Sequence, residues 1–212
     1  TGTTCTVYQW LDQSGNGNDL TQSTGGNQPT IYRGGALVKE GGRIAMNFDG
    51  SNDDFKITNT GLDIGNLSSF MIGKFETTGN QIMLSLSGGS SPSNKRWYMG
   101  YVNGGNINFG YASASTAFNT PVNTNQNLFS MIAGSTQGNA SAFLNGNTLG
   151  TATLATGLSS DQQAAVGSFN NSFFTDGNIQ EVIYYSADKS TNRTSIESNI
   201  GDYFTQNTPL LD

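Results

Sequence analysis

Four glutamates, Glu40, Glu76, Glu181 and Glu197, are the first groups in this 212-residue chain that could do proton chemistry. Paired carboxylates can cleave a glycosidic bond unaided, provided the two sit about 5 to 10 Å apart across it. Glu76 and Glu181 fall in strand-like segments, whereas Glu40 falls in a Gly-rich turn and Glu197 on the expected solvated face of a helix. Nothing in the spacing brings Glu76 to Glu181. The chain has no histidine, which removes Ser-His-Asp and Cys-His catalysis and every His-ligated zinc or copper site. Its one cysteine, Cys5, can form neither an internal disulfide nor a thiolate cluster.

Two kinds of binding chemistry have better support. Asp12, Asp49, Asp53, Asp54, Asp176 and Glu181 lie in segments rich in Asn and Gly. Calcium takes roughly six to eight oxygens from carboxylates, amide side chains and backbone carbonyls, which this supply suits. Asp12, Asp49, Asp53 and Glu181 are the candidate ligands. No segment matches a dedicated calcium loop, and an Asp in a turn also serves by capping neighbouring NH groups. The second chemistry is sugar recognition, which needs an aromatic face and polar partners for hydroxyls. Lys95-Arg96-Trp97-Tyr98-Met99-Gly100-Tyr101, followed by Asn103, Asn106 and Asn108, offers both. Strand alternation puts Trp97, Met99 and Tyr101 on one face, expected to be core. Arg96 and Tyr98, with Asn106 and Asn108, are then the candidate carbohydrate contacts.

Short strands must carry these residues. Gly (28) and Asn (25) make up a quarter of the chain, only 11% is charged, and 10% is aromatic. Such a chain has many turns but enough large apolar side chains to fold. Strands are expected near Val7–Leu11, Thr30–Tyr32, Arg43–Phe48, Asp54–Ile57, Ser69–Phe75, Gln81–Leu86 and Arg96–Val102. More follow at Asn106–Tyr111, Asn127–Ala133, Ala140–Leu144, Thr148–Ala152, Ala164–Ser168 and Asn178–Tyr185. Asn103-Gly104 and Asn145-Gly146 mark two hairpins, because both turn positions favour positive φ. From Asp188 the period becomes helical, with Ile196, Ile200 and Tyr203 or Phe204 recurring every four residues and Ser190 or Thr191 as caps. The pattern predicts an all-β, two-sheet antiparallel jelly-roll sandwich with one short C-terminal helix, a single domain over residues 1–205. Residues 206–212 read as the start of a linker to a further region.

Three segments resemble a known family. Trp10-Leu11-Asp12-Gln13-Ser14-Gly15-Asn16-Gly17-Asn18-Asp19-Leu20 resembles the opening of laminin G-like domains of the concanavalin A-like lectin/glucanase superfamily. Met46-Asn47-Phe48-Asp49-Gly50-Ser51-Asn52-Asp53-Asp54-Phe55 is similar to that family's second signature, and Gly177-Asn178-Ile179-Gln180-Glu181-Val182-Ile183-Tyr184-Tyr185 to its closing strand. The N-terminal segment, from Gly2-Thr3-Thr4-Cys5 through Leu20-Thr21-Gln22, also resembles the arabinofuranosidase B catalytic domain. That enzyme's adjacent cysteines have no counterpart here, nor has the Glu-x-Asp-x-(x)-Glu strand of sandwich glucanases. The resemblance implies a concanavalin A-like fold, a structural calcium, and adhesion or glycan binding more than catalysis. Such modules occur in phage virion proteins, including tail and head fibres, and in bacterial extracellular proteins.

The expected function is therefore a non-catalytic recognition or attachment module that binds carbohydrate on a cell surface, located extracellularly or on a virion. The alternatives are a glycoside hydrolase related to arabinofuranosidases and a structural domain that contacts other subunits of a fibre or virion. A net charge of −6 without a basic stripe argues against nucleic acid, and no apolar run is long enough to insert in a membrane.

Overall fold

The computed structural model describes residues 2–58, 66–87, 96–111, 114–133, 139–153, 163–169 and 171–205. The linker expected at residues 206–212 lies outside the described residues. The chain opens with short strands β1 (Cys5–Thr6), β2 (Gln9–Trp10), β3 (Leu20–Thr21), β4 (Thr30–Arg33) and β5 (Ala36–Leu37). A small ribbon, β6 (Lys39–Glu40) and β7 (Arg43–Ile44), precedes β8 (Met46–Asp49) and β9 (Phe55–Thr58). The longer strands are β10 (Ser68–Phe75), β11 (Gln81–Ser87), β12 (Arg96–Asn103), β13 (Asn106–Tyr111) and β14 (Ala114–Pro121). They continue with β15 (Asn127–Ala133), β16 (Asn139–Leu144), β17 (Asn147–Thr153), β18 (Gln163–Val166) and β19 (Asp176–Tyr185), and α1 (Arg193–Thr205) ends the fold.

These strands form two antiparallel sheets. Sheet one runs β1-β4-β8-β19-β10-β15-β16-β17, with β5 on β4; sheet two runs β14-β13-β12-β11-β18-β9-β3-β2. The core between them contains Phe48, Phe55, Phe75, Trp97, Phe109 and Phe129, all with no exposed surface. Trp97 donates its indole NH across the interface to Ser69 Oγ (2.9 Å), so its one polar atom is satisfied inside the sandwich.

Sheet one is buried on both faces, which explains why β10 and β15 read as near-continuous apolar runs and not as alternating ones. Its outer face is covered by α1, where Ile196, Ile200 and Phe204 pack on Phe70, Ile72, Leu128 and Ile132. Phe204 is the buried member of the Tyr203/Phe204 pair, and Tyr203 is exposed. The helix starts at Arg193, later than the sequence pattern suggests, because Asp188 and Lys189 close a turn first and Asn192 O receives the Ile196 NH (3.0 Å). Glu197 corrects a second expectation. It is buried and paired with Arg193, whose guanidinium lies 3.9 Å from the Phe143 ring centroid.

Sheet two has an open outer face, and its alternation breaks at Gly100. Trp97 and Met99 point inward as expected, but Gly100 takes φ +63° and the register with β13 shifts between Tyr98 and Tyr101. This bulge returns Tyr101 to the outer face beside Tyr98, so the expected core position for Tyr101 is wrong. Strand β14 was absent from the sequence pattern. Tyr98 lies flat over Gly110 of β13, where an added Cβ would stand 1.6 Å from Tyr98 Cζ. Gly110→Ala should therefore lower stability in urea denaturation by about 1–3 kcal/mol. A variant as stable as wild type would show that Tyr98 is not seated on this glycine.

Candidate functional site

The outer face of sheet two carries one row of side chains from Thr21 through Lys56, Ala165 and Ser85 to Tyr98, set by the pairing of β3, β9, β18, β11 and β12. At the β3–β9 end of this row is a polar pocket of about 650 Å³. Its floor is Asp54, which is 1% exposed. The Asp54 carboxylate accepts hydrogen bonds from Gln22 Nε2 (2.6 Å) and Ser168 Oγ (2.7 Å) and pairs with Lys56 Nζ (2.6 Å). Lys56 also donates to Asn171 Oδ1 (2.5 Å). Asp19, Ser23, Thr24 and Asn27 complete the wall. Alternation places these groups together: Phe55 and Ile57 turn into the core, leaving Lys56 to face out.

The loop from Gly167 to Thr175 folds over the same face. Phe169 and Ser172 exchange backbone hydrogen bonds, Thr175 Oγ1 donates to Ile82 O, and Phe169 packs against Ile82 and Tyr98. This hairpin holds two non-glycine residues in the left-handed region, Asn171 (φ 54°) and Phe173 (φ 53°). Asn tolerates that conformation, whereas for Phe it is strained by roughly 1–3 kcal/mol. The strain has a visible product. Asn171 reaches Lys56, while the Phe173 ring is 41% exposed and stands edge-on to Tyr101, which stands edge-on to Tyr98.

Tyr98, Asn106 and Asn108 also occupy the outer face, but less openly than the sequence pattern suggests. Tyr98 and Asn108 are buried, Asn106 is half-buried, and Asn108 Nδ2 donates to Asn106 O. Arg96 begins β12, and its side chain lies outside the described residues, as do those of Tyr111 and Phe118. Lys56, Asn171 and Phe173 were missed in the sequence. The one signal available was the sequence Asn170-Asn171-Ser172 beside two phenylalanines, which reads as a turn with no indicated partner.

The acidic candidates fall in two places. Asp49 and Asp53 share the turn that crosses from β8 in sheet one to β9 in sheet two, where Asp53 accepts the Asp49 NH (3.0 Å) and Asp49 caps Ser51 and Asn52. Asp12 caps Ser14 and Asn18, and its carboxyl is held below the usual range, first by the Ser14 hydroxyl and then by the backbone NH groups. Asp12 and Glu181 both line a second, larger groove. Burial pushes the Glu181 carboxyl up. Among the described residues no three acidic side chains converge on a point that could hold a metal. Glu76 lies beside Glu40, with Lys74 3.2 and 3.3 Å from them. Burial works against the Lys74 charge, but these two carboxylates raise its pKa nonetheless.

No family model matches the chain, and no curated protein matches it. Solved structures do. Domain 4 of AbnA, a GH43 extracellular arabinanase from Geobacillus stearothermophilus, in complex with arabinotriose, aligns with a TM-score of 0.63 at 13% identity over 92% of this chain and 98% of that one. The fold is a jelly-roll β-sandwich. The CBM40 of the Ruminococcus gnavus IT-sialidase, bound to α2,3-sialyllactose, aligns with a TM-score of 0.55 at 11% identity, over 73% of this chain and 94% of that one. A SAP-like pentraxin from Limulus polyphemus gives 0.56 at 12%, over 70% and 78%. At such identities the likeness is one of architecture alone.

The turn between β8 and β9 has a pH signature. Burial first, then the Asp49 carboxylate, pushes Asp53 up to about 6 from an ordinary 3.8. The folded state then binds a proton that the unfolded state has released, so this group's contribution to stability falls as pH rises through about 4 to 6. Asp53→Asn keeps an acceptor for the Asp49 NH and removes the charge. Relative to wild type, its stability in denaturant titrations should improve across that window, reaching a gain of about 3 kcal/mol above it. A difference independent of pH would contradict the assignment.

Proposed function

We propose that this domain is a non-catalytic carbohydrate-recognition module that binds glycan through the outer face of sheet two, around the Asp54–Lys56 pocket and Phe173. The observation that carries the reading is Phe173: a large aromatic ring held out to solvent, in a backbone conformation unfavourable to it, two residues along the chain from Asn171, which lines the polar pocket. An exposed ring supplies the apolar surface that one side of a sugar needs, and fixed amide, hydroxyl and charged groups next to it supply hydroxyl partners. The architectures it resembles include domains solved with arabinotriose and with sialyllactose, which fits such a role. The motifs at Trp10, Phe48 and Glu181 extend the reading to a laminin G-like module of a phage fibre or bacterial extracellular protein, with a cell-surface glycan as partner. A structural calcium ion belongs to the same proposal.

Hydrolysis has less support. Glu40 and Glu76 are adjacent, but both are spent on Lys74 and Asn178. Asp12 and Glu181 share the second groove, but the Asp12 carboxylate is engaged by Ser14 and Asn18.

The test is a glycan array with the 212-residue chain and with Phe173→Gly, run with calcium and with chelator. Wild type should bind one defined glycan class. Phe173→Gly should lose at least about tenfold in affinity while its stability is held or raised by up to about 1 kcal/mol, since glycine accepts the positive φ. Loss of wild-type binding on chelation would support the calcium. A folded wild type that binds nothing overturns the carbohydrate reading, and an unaffected glycine variant overturns this location for it.

A further inference from the structure

The charges in the pocket say which glycans it can hold. We propose that the site selects neutral, hydroxyl-rich oligosaccharides and rejects those bearing a carboxylate, with Asp54 as the residue that sets this selectivity; the inference rests on the carbohydrate reading above. A sugar carboxylate needs an uncompensated cation, ideally a guanidinium or ammonium with donors to spare. Lys56 is the only described cation in the pocket, and it is already committed to Asp54 Oδ2 (2.6 Å) and Asn171 Oδ1 (2.5 Å). Asp19 adds a second carboxylate to the wall, so acidic groups outnumber basic ones there.

No other described cation can be lent to it. Lys74 is held between Glu40 and Glu76, Arg193 is paired with Glu197, Arg43 lies over Tyr203, and Lys189 lies over Tyr185. All four are engaged with elements of sheet one, its ribbon or its helix, away from the outer face of sheet two. Arg33 donates to Asn47 on sheet one as well, and Lys39 stands on the β6–β7 ribbon, where it lines the second groove. A carboxylate entering the pocket would meet Asp19 and a neutralised Lys56 inside a protein of net charge −6. Like charges about 4 Å apart repel by roughly 1 to 4 kcal/mol at solvent-exposed and near-surface dielectrics. What the pocket does offer is Thr21, Ser23, Thr24, Asn27 and Asn171, donors and acceptors of the kind that neutral hydroxyls pair with.

Asp54 sets the balance because it alone cancels Lys56 from below. Replacing it by Asn keeps an acceptor for Gln22 and Ser168 but leaves the ammonium uncompensated and 29% exposed toward the pocket. The same carboxylate thus fixes the position of Lys56 and removes its appeal to an anion.

Titration calorimetry with arabinotriose, a panel of neutral oligosaccharides and α2,3-sialyllactose tests this on the full chain. Wild type should bind a neutral member with an affinity that salt barely changes and bind sialyllactose at least about tenfold more weakly. Asp54→Asn should shift the ratio toward sialyllactose by about tenfold or more. Should that variant fail to fold, Asp19→Asn, which removes the second carboxylate and leaves the Asp54 network intact, should shift the ratio in the same direction. Sialyllactose bound as tightly as any neutral glycan overturns the selectivity while leaving the carbohydrate reading standing, and so does an unchanged ratio in the folded variants. Silence toward every glycan, acidic and neutral, removes the reading on which the selectivity rests.

Discussion

A buried carboxylate has to be compensated or it unfolds its surroundings, and Asp54 is the carboxylate around which this face of the molecule is arranged. Its partners come from separate stretches of chain: Gln22 after β3, Lys56 on β9, and Ser168 after β18. Its own NH donates to Asn27 O in the loop before β4. The N-terminal strands, the β9 edge and the loop after β18 are thereby pinned to one another through a single side chain. Removing one member of such a set typically costs about 3–5 kcal/mol, because the charge left behind stays buried. The pocket exists because the network holds its walls apart at fixed positions.

Around that node, the two sheets divide the work. Sheet one is covered by the core on one side and, over β10 and β15, by α1 on the other. Sheet two is sealed only from within. Its outer face acquires an aromatic run because the Gly100 bulge turns Tyr101 outward, to stand between Tyr98 and Phe173. The loop from Gly167 to Thr175 completes the face, and its backbone strain is concentrated at the one residue whose ring is exposed. A rigid scaffold with its irregular backbone gathered at one patch is the arrangement expected of a recognition surface.

Much of the architecture could be read from the chain. Alternation located most strands, the Asn-Gly pairs located two hairpins, and the four-residue repeat located the helix that seals sheet one. The exceptions share a cause. Tyr101 was misplaced because a bulge costs one residue of register and leaves only Gly100 as its trace. Glu197 was misplaced because its burial depends on Arg193 covering Phe143, a contact between distant strands and helix. The site was less legible than the fold. Lys56 and Asn171 lie 115 positions apart and meet only once β9 and β18 are paired. Asp53 and Asp54 stand next to each other in sequence yet serve different networks, one in its own turn and one beneath the pocket. Adjacent letters do not reveal that.

The central claim is a location: glycan meets the outer face of sheet two between the Asp54–Lys56 pocket and Phe173. Backbone amide chemical shifts of the labelled domain, followed while a bound oligosaccharide is titrated in, test it most directly. The account predicts saturable shifts in Thr21–Asn27, Asp54–Ile57 and Asn171–Phe174, with α1 and the centre of sheet one unmoved. Shifts centred on α1, on the β6–β7 ribbon or on the groove beside Glu181, with the pocket silent, would contradict it.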